Sequence, residues 1–150
     1  MERTLYLDDL KVGDSFRSGE HVLDEAQIIA FARDFDPQPF HTDPAAAVQH
    51  PLFQGLAASG WHTAALTMKL LVTSGIPLAD GIIGSGGALA WPQPTRAGDV
   101  LHVEAQVLEV TPSRSRPDRG MVVMRFETRN QHGELLQSFT PKMVVSRRPA

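Results

Sequence analysis

Residues Ser59 to Gly75 read SGWHTAALTMKLLVTSG, and the period of that stretch decides the fold. Ser59 is a hydroxyl residue suited to an N-cap, and Gly75 suits a helix end. Trp61, Ala64, Ala65, Met68, Leu71 and Val72 fall on one stripe at helical spacing, and Leu66 and Leu70 add apolar bulk on a second side. A helix apolar on most faces belongs inside a protein. Beyond Gly81 the period changes from helical to alternating. Leu101, Val103, Ala105 and Val107 share one side of a predicted strand, opposite His102, Glu104 and Gln106. Val122, Met124 and Phe126 alternate in the same way, and GELLQSFTPKMVVS follows as a third long strand after the NQHG turn signal. A glycine-rich strand, GGALAWPQP, precedes them, and TPSRSRPDRG reads as an exposed loop. Sequential strands with short links pair as a meander. The predicted class is α+β, a curled antiparallel sheet wrapped around one long central helix, because that buries both with least material.

Working outward towards the amino end, Pro37 to Leu56 reads as irregular, with a short helix able to start at Pro44. Before it, DEAQIIAFARDF predicts a helix with Asp24 as N-cap and Gln27 completing a capping box. Ile28, Phe31 and Ala32 form its apolar face, and Phe35 extends that face by a turn. Pro37 ends this helix, since a residue before proline avoids the α region. Asp36 is thereby placed just beyond a helix end. His41 follows five residues later, on a segment whose two prolines restrict the backbone. LKVGDSFRSGEHVL reads as a strand or short hairpin punctuated by Gly13 and Gly19.

Composition narrows the class. The chain has 150 residues, which suits a single domain over 1–150 with a core large enough to need no staple. It has no cysteine, so disulfides and thiolate metal sites are excluded. A net charge of −3 argues against nucleic acid as a main partner. MERTLYLDDLKVGD lacks the apolar core of a signal segment, and no apolar run reaches the roughly 18 residues of a membrane span. The cytoplasm is the expected location, with no membrane partner.

Three segments together resemble the MaoC-like dehydratases, a family that includes the R-specific enoyl-CoA hydratases and has the hotdog fold. The family's motif of aspartate, any residue, asparagine, proline, an aliphatic residue and histidine corresponds to Asp36, Pro37, Gln38, Pro39, Phe40 and His41. FQGLAASGWHTAAL is similar to the segment whose final glycine, here Gly60, opens the central helix. LAWPQPTRAGDVLHVEAQVLEV is similar to the family's strand, its P-x-x-x-G-D turn and the long strand after it. Phe35 stands where a glycine is frequent, Gln38 where the asparagine is, and Ser59 where a histidine often precedes Gly60.

The resemblance implies a hydro-lyase that interconverts a 2-enoyl thioester and its 3-hydroxyacyl form, with the R configuration implied by the family alone. Asp36 and His41 would be its acid–base pair on a water, the division of protons between them being open. The backbone N–H of Gly60, at the positive end of a helix, would receive the thioester oxygen. Gln38, Phe40, Ser59 and Trp61 would bind substrate. Coenzyme A would enter as part of the substrate, and no metal or other cofactor is expected. A homodimer joined edge to edge between sheets, or a higher homo-oligomer, is expected, with pockets near the interface. Two alternatives stand beside this reading: a hotdog thioesterase attacking the thioester carbonyl, and a non-catalytic acyl-thioester-binding subunit. Plainer readings weigh against other sites. His41, Asp43 and His50 match no metal spacing, Ser59 reads as a cap rather than a nucleophile, and Gly84, Gly86 and Gly87 read as close-packing positions. Arg114, Arg116 and Arg119 read as a solvated loop rather than a phosphate site.

Overall fold

The computed structural model describes residues 3–150; Met1 and Glu2 of the amino-terminal stretch lie outside the described residues. A 3-10 turn, Leu7–Asp9, leads into two short strands, β1 (Ser15–Arg17) and β2 (His21–Val22). Three helical pieces follow: α1 (Glu25–Phe35), α2 (Pro39–Thr42) and α3 (Pro44–Val48). The long helix α4 (Gly60–Leu70) runs into one wide π turn over Leu71–Gly75. Four strands complete the chain: β3 (Ile83–Ala90), β4 (Val100–Pro112), β5 (Arg119–Arg129) and β6 (Leu135–Ser146).

The sheet is antiparallel in the order β1-β4-β5-β6-β3, with β2 also on β4. The meander over β4, β5 and β6 is as the alternation predicts. β3 does not join it at β4, its neighbour in sequence. It crosses to pair with β6, with Leu89 opposite Phe139, and its other edge is unpaired among the described residues. Gly87 permits that pairing: an added Cβ would lie 2.7 Å from both the Pro141 Cα and the Thr140 carbonyl oxygen. β1 and β2 are not a hairpin with each other, because β4 offers each of them a longer, already ordered partner.

The inward phase of the strands forms the core: Leu101, Val103 and Val107 on β4, and Val122, Met124 and Phe126 on β5, are all buried. Leu66, Leu70 and Leu71 close the core from the helix side. This is the hotdog arrangement, an α+β fold with a curled sheet about a central helix. The helix is turned differently from the predicted stripe. Its buried face is His62, Thr63, Leu66, Thr67 and Leu70, whereas Trp61 is 59% exposed and Val72 61% exposed. The reason is that the polar members of the inner face find partners on distant strands. Thr67 Oγ1 lies 2.6 Å from Thr128 Oγ1, and Thr63 Oγ1 lies 2.9 Å from Thr95 Oγ1. Buried hydroxyls with partners carry no desolvation penalty that would expel them.

α1 is capped as predicted at Asp24, whose carboxylate accepts from the Gln27 N–H at 2.9 Å. The reciprocal half of the box is not made; the Gln27 carboxamide instead pairs with His21 and donates to the Val22 carbonyl, tying α1 to β2. Ile28 and Ala32 are buried, but Phe35 is 70% exposed and adds nothing to the core. The segment after Pro37 is also more regular than predicted, because Pro39 and Pro44 each open a helical turn. No helix among the described residues is long and apolar enough to cross a membrane.

Candidate active site

Asp36 is the C-cap of α1, and its N–H donates to the Ala32 carbonyl at 2.8 Å. Its backbone turns the chain away from the helix, so its carboxylate is presented from a fixed end rather than from a loop. His41 sits on the turn α2, two residues past Pro39. Its imidazole is buried and held on three sides. Nδ1 lies 2.6 Å from the Ala57 carbonyl oxygen, and Phe40 meets the ring edge-on at 4.5 Å. Nε2 lies 3.3 Å from Asp36 Oδ2. A carbonyl oxygen can only accept, so Nδ1 carries hydrogen and Nε2 is the nitrogen free to exchange a proton.

The Asp36 carboxylate has its own supports. The Gln38 carboxamide donates to Oδ1 at 2.6 Å. Burial pushes the acid up, but hydrogen bonds from Gln38 and Ser59, together with the His41 imidazole, outweigh burial and hold it below the usual carboxylate range. Gln38 is thus a carboxylate-orienting residue. Ser59 is fully buried, accepts from the Trp61 N–H and caps α4. It stands beside Asp36 rather than on the cavity wall.

A cavity of about 540 Å³ opens on this pair. Asp36, Gln38, Phe40, His41, Gly60 and Trp61 are on its wall, so of the seven sequence-predicted site residues all but Ser59 line one space. Gly60 begins α4, and its N–H makes no hydrogen bond within the described residues. The Gly60 Cα is packed under an indole: a Cβ there would lie 2.5 Å from Trp91 Cε2. Glycine is therefore required at this position by Trp91 in the protein itself.

Trp91, on the cavity wall, and Arg96, behind it, were not legible as site residues. Trp91 follows β3 and meets Trp61 edge-to-face at 5.2 Å. Arg96 shapes the wall from behind. Its guanidinium donates to the carbonyls of Phe53 at 2.6 Å, Gly55 at 2.9 Å and Leu56 at 3.2 Å. It thereby fixes the loop that presents Phe53, stacked on Phe40 at 4.8 Å, and leads to the Ala57 carbonyl that anchors His41. A signal existed only in the P-x-x-x-G-D turn, where Arg96 lies between Pro94 and Gly98.

The other candidates separate. The Asp43 carboxylate accepts from the N–H groups of Ala45 and Ala46, and His50 Nδ1 accepts from those of Leu52 and Phe53, so neither converges with His41. Arg114, Arg116 and Arg119 lie at the far end of β4, up to about 40 Å of strand away from the cavity within one chain. Arg119 there pairs with Asp118.

Comparison with known proteins agrees with the geometry. The family model for the MaoC like domain matches residues 10–130. The chain is 30% identical over 126 residues to the uncharacterized protein YdeM of Bacillus subtilis (strain 168), covering 83% of this chain and 87% of that protein. A crystal structure of a MaoC-like dehydratase from Rhodospirillum rubrum is 62% identical, with a TM-score of 0.95 over 97% of this chain and 99% of that one. The R-hydratase PhaJ1 of Pseudomonas aeruginosa, in unliganded form, is 26% identical with a TM-score of 0.76 over 97% of this chain and 88% of its own. An acid and an imidazole on one cavity beside the opening of the central helix, in a chain matched by that model over most of its length, have one reading: the chain belongs to the MaoC-like dehydratase family, a family of dehydratases and hydratases.

Proposed function

We propose that the protein is a hydro-lyase that adds water across the double bond of a trans-2-enoyl thioester, and removes it in reverse, with Asp36 and His41 as the acid–base pair. The observation that carries this reading is the 3.3 Å separation of Asp36 Oδ2 and His41 Nε2 on the cavity wall. With Nδ1 committed to the Ala57 carbonyl, a neutral His41 turns a lone pair towards a carboxylate. Two acceptors so placed are best satisfied by one water that gives a hydrogen to each. That water's oxygen bonds to the β-carbon while the π pair moves to the α-carbon. The pair takes up the proton the water loses and returns a proton to the α-carbon, so the balance closes without a redox group or a metal. The enolate charge that grows on the thioester oxygen is met by the Gly60 N–H, at the amino end of an eleven-residue helix.

The test is hydration of enoyl-CoA thioesters, followed by loss of enoyl absorbance, with free thiol measured in parallel. Asp36→Asn and His41→Ala should each lower kcat/KM by about 10²–10⁴ with the fold intact. Thiol release without hydration would identify a thioesterase instead. Saturable acyl-CoA binding without turnover of either kind would identify a binding subunit.

A second copy of the chain completes this reading. β3 has one unpaired edge, and beside it Trp61, Met68, Val72 and Ile83 leave a large apolar face open. Unpaired strand edges with apolar flanks recruit a partner, and antiparallel addition of a second β3 would bury both. Light scattering should return twice the chain mass, and Met68→Lys with Val72→Lys should return one. A parent chain that stays monomeric at micromolar concentration would rule the dimer out.

A further inference from the structure

A second cavity, of about 430 Å³ and mainly apolar, lies between α4 and the β3 side of the sheet. Ala64, Met68, Leu89, Phe126 and Phe139 line it, and Trp61 is on the wall of both cavities. Trp91 stands where the two approach. One face of its indole covers the Gly60 Cα, its edge meets Trp61, and its Nε1–H donates at 2.9 Å to Oε1 of Gln137, a residue on the wall of the second cavity.

Gln137 is 1% exposed, and its placement needs a cause. β6 alternates in one register with β5 from Met143 opposite Val122, through Phe139 opposite Phe126, to Gln137 opposite Thr128, so Gln137 falls on the inward face. Its Nε2 donates to Thr67 Oγ1 at 3.1 Å. The Thr67 hydroxyl gives its own hydrogen to the Thr63 carbonyl at 2.8 Å, so Thr128 donates to it. Thr67 Oγ1 is then saturated, with two bonds accepted and one given. A fully satisfied buried polar chain of this kind fixes orientation. Its free end is the Gln137 carbonyl oxygen, and that end holds the indole.

We infer that Trp91 is a specificity-determining partition: held by Gln137, it ends the acyl path of the first cavity and keeps the substrate's chain out of the second. The inference rests on the thioester reading above. Trp91 is a contact residue for the acyl tail, and Gln137 is a positioning residue that acts through it. A short acyl chain fits before the partition; a long one has to displace an indole that is hydrogen-bonded on one edge and packed on a glycine.

The test is the ratio of kcat/KM for a ten-carbon enoyl-CoA to that for the four-carbon one, measured for the parent, Trp91→Ala, Trp91→Phe and Gln137→Met. The parent ratio should fall well below one. Trp91→Ala should raise it by about tenfold or more, in line with the discrimination that apolar pockets achieve. Trp91→Phe and Gln137→Met should move it in the same direction by less, and Gln137→Met should also shift the Trp emission as the indole edge loses its acceptor. A ratio unchanged within twofold in a folded Trp91→Ala protein overturns the partition, as does a parent that already prefers the longer chain. If the parent hydrates no enoyl thioester, the hydratase reading fails separately. The partition is then decided by the dissociation constants of saturated acyl-CoAs of four to twelve carbons, in which Trp91→Ala should favour the longer members and an unchanged series refutes it.

Discussion

His62 offers a stability experiment whose size follows from the structure. It lies on the inner face of α4, 7% exposed, with its ring stacked on Phe31 at 4.4 Å and an interplanar angle of 4°. Its Nδ1 is buried without a hydrogen-bond partner among the described residues. Burial, and secondarily the charge of His21 nearby, lower its pKa to about 4 from 6.5. The folded protein therefore holds His62 neutral where the unfolded chain protonates it. The stabilisation from the neutral form is fully present above pH 6.5 and is lost as pH falls towards 4. Between pH 7.5 and pH 5 these two values give a loss of about 2 kcal/mol. Water reaching the ring and local relaxation reduce this to about 1 kcal/mol. His62→Phe removes both the proton site and the unpartnered nitrogen while keeping a ring against Phe31. The assay is urea unfolding at both pH values and one fixed protein concentration, for parent and variant, with the difference of differences taken. The variant should be at least as stable as the parent at pH 7.5 and should lose about 1 kcal/mol less on acidification. Equal losses in the two proteins would mean that His62 is not the group that titrates.

Other perturbations report on the site itself. Gly60→Ala should expel the Trp91 indole, seen as a change in Trp emission, and should lower kcat/KM more than it lowers stability; retained emission and turnover would separate Trp91 from Gly60. Arg96→Leu leaves the carbonyls of Phe53, Gly55 and Leu56 without their charged donor, and should cost about 2–3 kcal/mol. It should also speed hydrogen exchange over residues 53–57, which a merely superficial arginine would not do. Gln38→Leu removes the donor on Asp36 Oδ1, so the Asp36 pKa should rise and the acid limb of the kcat/KM profile should move to higher pH. An unmoved limb would show that Gln38 does not set the charge of Asp36.

The features that were legible in the sequence are those fixed by local chemistry. Alternation along Val122, Met124 and Phe126 names the core side of β5 because that period has one meaning in a sheet. Asp24 and Pro37 bound α1 because a cap and a proline act within a turn of themselves. Asp36 and His41 were readable as a pair through the motif that joins them, and that motif is six residues long. What was not legible depends on partners far along the chain. The inward face of α4 carries Thr63 and Thr67, and a hydroxyl reads as outward until Thr95 and Thr128 are known to meet it. Gln137 shares the inward phase of β6 with Phe139 and Met143, but a carboxamide reads as outward until Thr67 and Trp91 are known to meet it. Trp91 becomes a wall residue only once β3 has crossed to β6, a pairing that sequence order argues against.

The free border of β3 is built around Gly84, Gly86 and Gly87, so it presents peptide groups and almost no side chains. Peptide groups are the same in every polypeptide, and such a border cannot tell one suitor from another. Discrimination between a twin and a paralogue thus falls to the few bulky neighbours, Trp61, Met68 and Val72. A mismatch there would be enough to turn a self-pairing protein into one half of a mixed couple, with Asp36 and His41 untouched.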